Sequence, residues 1–409
     1  MKHLIIFVDE KYTFQGRNVY TSLGGNSNWL LYAEAISRHF DRATVFLSAA
    51  ILLPTAPEPD LPHIMDLDSK RLEIVPLPPY SSLMESVPLL PSIFRLCRQQ
   101  LTKLQEAEAL LIRIPSLAGL ILAELARRRG KKICFSVAGN IETQNRYVKS
   151  PSPVKKIWLA LAKAIQLVSI IAARRCLVLA VGQELAEKYA QGVPFFPKPA
   201  LVRNCPDSML AEGALFWRSD TCQGNPVRLV RVCQLIPTKG VEYLLEGIRL
   251  LQREGLPVEL LLAGTGEAEY VQKLKDLAAA LGVMQSVQFL GAVPHAEIPD
   301  LFRRADIQVI SSLGEGVPRV IFEGWAASVP LVATTVGGIP GIVQHEENGL
   351  LVPPGDPFAL ANAIERVIRE KDLRQKLIRN GFAFAKEHTQ EKQAKKIADA
   401  IKEFSLSPQ

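Results

Sequence analysis

The stretch that decides the fold reads Ser311-Ser312-Leu313-Gly314-Glu315-Gly316-Val317-Pro318-Arg319-Val320-Ile321-Phe322-Glu323-Gly324-Trp325-Ala326-Ala327. An apolar run, 307–312, ends at its two serines and reads as a strand. A glycine-containing turn follows, and Pro318 suits the first position of a helix that runs through Glu323. Strand, turn and helix start in that order leave the first helical N–H groups without backbone partners. Such a helix start accepts an anion or sugar hydroxyls. Glu315 lies in the turn, and Glu323 follows roughly two helical turns of chain later. Two carboxylates there can hold two sets of hydroxyls on one ligand, and if buried they require partners. Taken singly, each also fits a solvated or helix-face glutamate.

Outward from this stretch, short β-branched runs alternate with helical patterns along almost the whole chain. In the first half the predicted strands are 4–8, 43–51, 72–77, 109–114, 132–138, 176–181 and 199–203. In the second half they are 228–235, 258–264, 287–290, 307–312 and 330–335. Continuous apolar strands separated by helices imply parallel sheets covered on both faces. Two successive sets imply an α/β chain of two doubly wound, Rossmann-like domains facing across a cleft. The break falls near 204–226, where Asp220-Thr221-Cys222-Gln223-Gly224-Asn225-Pro226 is turn chemistry. The organisation expected is an N-terminal domain over 1–205, a second domain over 206–385, and a C-terminal helical segment, 386–409, free to return to the first. Asn348-Gly349 before Leu350-Leu351-Val352 is a strong turn signal.

Ligands of open α/β sheets bind at the C-terminal ends of the strands, so motifs there carry the most weight. Gln234-Leu235-Ile236-Pro237-Thr238-Lys239-Gly240 closes the first strand of the second half and presents Lys239 in a turn. Leu261-Leu262-Ala263-Gly264-Thr265-Gly266-Glu267 permits close approach of backbone to a ligand at Gly264. In the first half, Ser22-Leu23-Gly24-Gly25-Asn26 precedes a helical pattern. A glycine pair there lets backbone N–H groups reach a phosphate or a sugar, and an unliganded tight turn fits it too. Arg113, in Ile112-Arg113-Ile114-Pro115-Ser116, suits an acceptor phosphate or a structural ion pair. Asp66-Leu67-Asp68 sits in a Pro-rich polar region away from a clear strand end and is not read as a metal site. His295 reads as a surface histidine. No H-E-x-x-H, phosphate-binding P-loop or complete G-x-G-x-x-G occurs.

Taken together, the 311–327 stretch resembles the signature of retaining nucleotide-sugar glycosyltransferases of family 4, which have the GT-B fold. Their pattern is two glutamates separated by seven residues, as in Glu315 and Glu323. It continues through Pro330-Leu331-Val332-Ala333-Thr334-Thr335-Val336-Gly337-Gly338-Ile339-Pro340 and Glu347-Asn348-Gly349-Leu350-Leu351-Val352-Pro353-Pro354-Gly355-Asp356. The resemblance implies that Glu315 contacts the donor sugar and Glu323 the ribose, and that Lys239 grips the donor diphosphate. Lys239 and Glu315 are then the catalytic pair. Gly24, Gly25, Gln234, Gly264, Val317, Pro318, Arg319 and Glu323 line the donor, and Asn26 and Arg113 the acceptor. Family members usually have an arginine where this chain has Gln234, which leaves Arg228, Arg231 or Arg319 to compensate. Many also have a histidine where this chain has Ala138, although members that build exopolysaccharide often lack it. The implied activity is transfer of a sugar from a nucleotide sugar to a glycan or polyprenyl-linked acceptor in surface polysaccharide synthesis. No cofactor or obligatory metal is expected. The competing readings are a non-catalytic sugar-nucleotide binder and a sugar-nucleotide epimerase on the same fold.

Composition is consistent with these expectations. Of 409 residues, 48% are hydrophobic and 22% charged, which excludes a disordered, collagenous or coiled-coil chain. Charge is uneven. Residues 1–205 carry 26 Lys and Arg against 16 Asp and Glu, whereas residues 206–409 carry 22 against 25. A basic first half suggests an anionic partner (nucleic acid, a phosphorylated substrate or an acidic membrane face), and plain solubility with a random asymmetry fits it too. The family resemblance implies a nucleotide sugar, a glycan or polyprenyl-linked acceptor and an anionic membrane surface, and no nucleic acid. The segment 155–173 runs from Lys155-Lys156-Ile157-Trp158 through an apolar stretch to Arg174-Arg175. It suits a membrane-surface helix or a buried helix of the first domain. The N-terminal apolar stretch is too short for a signal peptide, and the six cysteines show no C-x-x-C spacing. A cytoplasmic protein, at the inner face of the membrane if peripheral, is the expectation.

Overall fold

In the computed structural model, residues 3–20, 29–57, 59, 63–66, 72–80, 83–137, 153–174, 176–180, 183–190, 222, 226–294 and 297–406 are described. They fall into two units. The first holds β1 (His3–Gln15), β2 (Asn18–Tyr20), β3 (Arg42–Leu52), β4 (His63–Asp66), β5 (Leu72–Leu77), β6 (Ala109–Ile114), β7 (Lys132–Val137) and β8 (Leu177–Ala180). The parallel part runs β5-β3-β1-β6-β7-β8. At its centre Leu4–Phe7 lies between Ala43–Phe46 and Ala109–Ile112. All four β1 residues are essentially sealed from water, as expected for a strand covered on both faces.

β1 extends past the predicted 4–8. The register against β3 shifts between Val8 and Lys11, and pairing resumes with Lys11 opposite Ser48. Lys11-Tyr12-Thr13-Phe14-Gln15 supplies alternating aromatic β-formers, so pairing resumes after the irregularity. Tyr12 and Phe14 are buried there. Gly16, at φ +61°, turns the chain into β2, which pairs antiparallel with β1 and β4. Neither β2 nor β4 is evident from apolar runs. Asp66 ends β4, which corrects the reading that places Asp66-Leu67-Asp68 away from a strand end.

The second unit holds β9 (Val227–Val232), β10 (Val258–Ala263), β11 (Val287–Gly291), β12 (Ile307–Ile310), β13 (Leu331–Thr334) and β14 (Leu350–Val352). Its order is β11-β10-β9-β12-β13-β14, parallel throughout. The order reverses between β9 and β12, which makes their C-terminal ends the topological switch point. Leu260 and Leu262 on β10 and Val309 on β12 are fully buried against helices such as Val241–Arg253, whose Leu244, Leu245 and Ile248 face the sheet.

Among the described residues, those up to Ala190 and from Glu391 onward fall in the first unit, and Cys222 to Gln390 in the second. Helix Lys371–Glu387 stays with the second unit. The last helix, Gln390–Leu406, presents Ala394, Ile397, Ala398, Ile401 and Phe404 to the core of the first unit, beside Leu4, Ile6 and Val8. Their spacing of three and four residues is one helical stripe, and its burial is what holds the segment there. No helix among the described residues is long and apolar enough to cross a membrane.

Candidate functional site

The site forms at the switch point of the second unit, where four loops, those after β9, β10, β12 and β13, are held close by glycines. After β9 the chain makes a short 3₁₀ turn, Pro237–Lys239, and Gly240 at φ +58° starts helix Val241–Arg253. A Cβ on Gly240 would stand 2.2 Å from the Ser311 carbonyl oxygen, so only glycine lets these two strand ends approach. The Leu313 N–H donates to the Thr238 carbonyl at 2.8 Å, and Ser311 Oγ to the Lys239 carbonyl at 3.2 Å. On the other side, Gly264 at φ +139° packs directly on Cys233, and the Leu235 N–H donates to Thr265 at 2.8 Å. Gly337 and Gly338 pack against Glu315 and Gly316 in the same way, with the Gly338 N–H donating to the Gly316 carbonyl at 2.8 Å.

A chain of polar groups runs through the centre. Lys239 Nζ donates to Glu315 Oε1 at 2.7 Å, and Ser312 Oγ donates to the same oxygen at 2.7 Å. Behind them Arg231 Nη2 donates to Ser312 Oγ at 2.7 Å and to the Lys239 carbonyl at 3.4 Å. The Lys239 and Glu315 side chains keep 20% and 10% of their surface exposed, whereas Arg231 is sealed at 1%. Two cations and one carboxylate leave this cluster with one surplus positive charge. A second pair sits on helix Arg319–Ala326, where Arg319 Nε lies 2.9 Å from Glu323 Oε1. That helix is anchored by Phe322 and Trp325, both fully buried. The Trp325 indole N–H donates to the Asn348 carbonyl at 3.0 Å, which gives the Asn348-Gly349 turn a packing role.

Lys239 and Glu315 are therefore brought together, with Glu323 and Arg319 on the helix that follows. Pro318 takes the residue before the helix, at φ −70° and ψ 119°, and Arg319 is the first helical residue. This corrects the assignment of Pro318 to the first helical position. Val317 is buried, and its side chain packs against Gly338. Gln234 is exposed. In the first unit, Arg113 forms an ion pair with the buried Glu10 and lies 4.9 Å from the centre of the Trp29 ring. Tyr12 Oη donates to Glu10 at 2.7 Å and accepts from the Leu30 N–H at 3.2 Å. Burial first, and then the Glu10 charge, hold the Tyr12 phenol well above its ordinary range. Of its two sequence readings, Arg113 thus carries the ion pair. Gly24, Gly25 and Asn26 lie outside the described residues, as do Ala138 and His295.

Sequence reasoning singled out neither Ser312 nor Glu10, and named Arg231 only as one of three arginines able to compensate for Gln234. Strand parity gives no signal for Arg231, because Leu229 and Val230, on opposite faces of β9, are both fully buried.

Residues 220–384, within the second unit, match the family model for glycosyl transferases group 1. An uncharacterized glycosyltransferase of Methanocaldococcus jannaschii is 34% identical over 166 residues, 40% of this chain and 42% of that protein. The amylovoran biosynthesis glycosyltransferase AmsK of Erwinia amylovora is 32% identical over 149 residues, 35% of this chain and 36% of AmsK. The chain spans less than half the length of these curated relatives. Among solved structures, HepE of Anabaena in complex with UDP superimposes with a TM-score of 0.70 at 19% identity, over 98% of this chain and 100% of that one. Sucrose-phosphate synthase of Thermosynechococcus elongatus gives 0.75 at 16% identity over the full length of both. These likenesses show the fold, which is GT-B.

Proposed function

We propose that the protein is a retaining glycosyltransferase of family 4 that moves a sugar from a nucleoside diphosphate sugar to a glycan or polyprenyl-linked acceptor in surface polysaccharide synthesis. The observation that carries this reading is the Lys239–Glu315 pair at the switch point of the second sheet, which with Arg231 behind it forms a cluster of one surplus positive charge. Breaking the glycosidic bond leaves a diphosphate, and preorganised positive charge lowers that barrier most where charge develops. Lys239 and the N–H groups at the start of helix Arg319–Ala326 supply it. Glu315 orients the sugar and Glu323 the ribose, with Gln234, Gly264, Val317 and Pro318 around the donor. Retention follows from attack on the face the leaving group departs from, with the leaving phosphate taking the acceptor proton. The reaction so drawn calls on no cofactor and no metal. HepE, of the same fold, is solved with UDP and with UDP-glucose, and the AmsK name places a relative in polysaccharide synthesis. Both support the reading.

The test is a thermal-shift panel of uridine, guanosine and adenosine diphosphate sugars on the wild type and Glu323→Ala. A ligand at a hundredfold excess over its dissociation constant stabilises by about 2.7 kcal/mol. One donor class is expected to raise the melting temperature of the wild type and to lose most of that shift in the variant. No shift with any donor would overturn the reading. Turnover of the donor without acceptor to an epimer would favour the epimerase.

A membrane-linked acceptor places the protein at the cytoplasmic membrane face, and helix Pro153–Ala173 supports that placement. Ile157, Leu167, Val168 and Ile171 are 52–69% exposed on it, at helical spacing, with Lys163 and Arg174 exposed beside them. Apolar residues flanked by bases suit an anionic lipid interface. Wild-type protein is expected to sediment with vesicles containing phosphatidylglycerol and not with phosphatidylcholine alone. The Leu167→Glu/Ile171→Glu variant is expected to stay in the supernatant with both. Equal sedimentation of variant and wild type would remove this surface from the account.

A further inference from the structure

We propose that Arg231 is a positioning residue for the diphosphate subsite, and that its buried charge is the second cation that subsite uses. The inference rests on the function proposed above. Arg231 sits on β9 beside the switch point with 1% of its surface exposed, so it touches no ligand. A guanidinium buried to that extent is costly unless it is paired. Among the described residues Arg231 makes no ion pair, and its Nε has no hydrogen-bond partner. Its contacts are one hydroxyl and one carbonyl, both belonging to the site: Ser312 Oγ at 2.7 Å and the Lys239 carbonyl at 3.4 Å. A cation kept inside the fold without a carboxylate beside it is a standing attraction for an anion bound in front of it.

The hydrogen-bond directions show how it acts. Arg231 can only donate. The Ser312 oxygen accepts from it, so the single Ser312 hydroxyl proton is directed to Glu315 Oε1 at 2.7 Å. That oxygen also accepts from Lys239. Arg231 therefore fixes the Ser312 rotor, which fixes the carboxylate, which fixes the ammonium group that faces the ligand. Position 234, at the same strand end, is an exposed and uncharged glutamine. Arg228 is also exposed, at the start of β9 and the opposite end of the strand from the site, and Arg319 lies against Glu323. Of the three arginines able to make up for Gln234, the structure assigns the task to Arg231.

The experiment is calorimetric titration of wild type, Arg231→Met, Arg231→Lys and Ser312→Ala with uridine, guanosine and adenosine diphosphates and the matching monophosphates. Melting temperatures are recorded in parallel. Methionine fills similar volume without charge, and such replacements of buried ions often leave stability unchanged or raised. Arg231→Met is expected to weaken the bound diphosphate by about tenfold or more while the monophosphate changes by less than about threefold, since the buried charge acts on the second phosphate. Arg231→Lys is expected to restore part of the loss. Ser312→Ala, which keeps the charge and cuts the relay, is expected to fall between wild type and Arg231→Met. A folded Arg231→Met that binds diphosphate like the wild type overturns this proposal and leaves the proposed function standing. A wild type that binds no nucleoside diphosphate overturns both. If Arg231→Met does not fold, Ser312→Ala decides, and unchanged diphosphate affinity there overturns the relay.

Discussion

Lys239→Met is expected to lower sugar transfer by about 10²–10³-fold, the range seen when one preorganised donor to a developing negative charge is removed. Lys239 Nζ is 2.7 Å from Glu315 and one-fifth exposed, so it is held but open to a ligand. Its removal takes the cluster from one surplus positive charge to none. It also leaves Glu315 with the Ser312 hydroxyl alone of its two donors. Repulsion between that carboxylate and a leaving diphosphate then adds to the lost attraction. Stability should fall as well, by about 1–3 kcal/mol, because Glu315 keeps only 10% of its side chain exposed and loses its charged partner. The measurement is turnover of the donor identified by the binding panel, with acceptor or by slow hydrolysis, alongside the melting temperature. The loss should lie mainly in the chemical step, so single-turnover rate falls more than donor affinity. A decrease below about threefold would remove Lys239 from the reaction. Lys239→Arg should recover only part of the rate, since a planar fork does not reproduce a point charge beside one carboxylate oxygen.

The sequence and the structure agree where local pattern and tertiary environment carry the same information. The runs at 258–264 and 307–312 are strands because a parallel strand covered on both faces reads as a near-continuous apolar run, interrupted here only at Glu259 and Gln308 before the strand ends. Their order fixes which loops meet, so Lys239 and Glu315, 76 residues apart, are legible as partners once both are placed at strand ends. Arg231 is less legible. In the run Val227-Arg228-Leu229-Val230-Arg231-Val232 both arginines interrupt a strand, and only the neighbouring strand, which sets Glu259 opposite Arg228 and Leu262 opposite Arg231, shows which is buried. The antiparallel β2 and β4 carry three and four residues, too few to display a period. The end of the chain shows the opposite limit. Its charge-rich helical pattern runs on from 371 to 406, but the break at His388-Thr389 splits it between two units. What separates the two helices is which core each apolar stripe fits, and that depends on residues hundreds of positions away. Pro318 illustrates a finer limit. Proline is compatible with both the first helical residue and the residue before it, and the backbone ψ of 119° decides for the latter.

Gly337→Ala is the second substitution expected to have a large effect, and it acts on Glu315 without touching its side chain. Gly337 has φ +54°, where a Cβ costs about 1–2 kcal/mol in any L-residue. Its Cβ would also fall 1.8 Å from the Glu315 carbonyl oxygen and 2.8 Å from its carbonyl carbon. Both neighbours are backbone, so no side-chain rotation relieves the overlap. The loop carrying Glu315 must move away from β13, and the neighbouring bond from the Gly338 N–H to the Gly316 carbonyl, 2.8 Å long, is strained with it. Lys239 and Ser312 hold Glu315 from the opposite side, so the loop cannot shift while all three bonds keep their lengths. Transfer is expected to fall by about 10²-fold, the loss that a displacement near 1 Å can bring at a reacting centre. Stability should fall by about 2–5 kcal/mol from the combined strain and overpacking. Gly282→Ala separates the two terms. Gly282 has φ +74° with nothing within 4 Å of the added Cβ, so it bears the conformational cost without the collision. It should lower the melting temperature while leaving transfer unchanged. Equal activity in the two variants, at matched stability loss, would show that close packing of Gly337 on Glu315 does not set the geometry of the site.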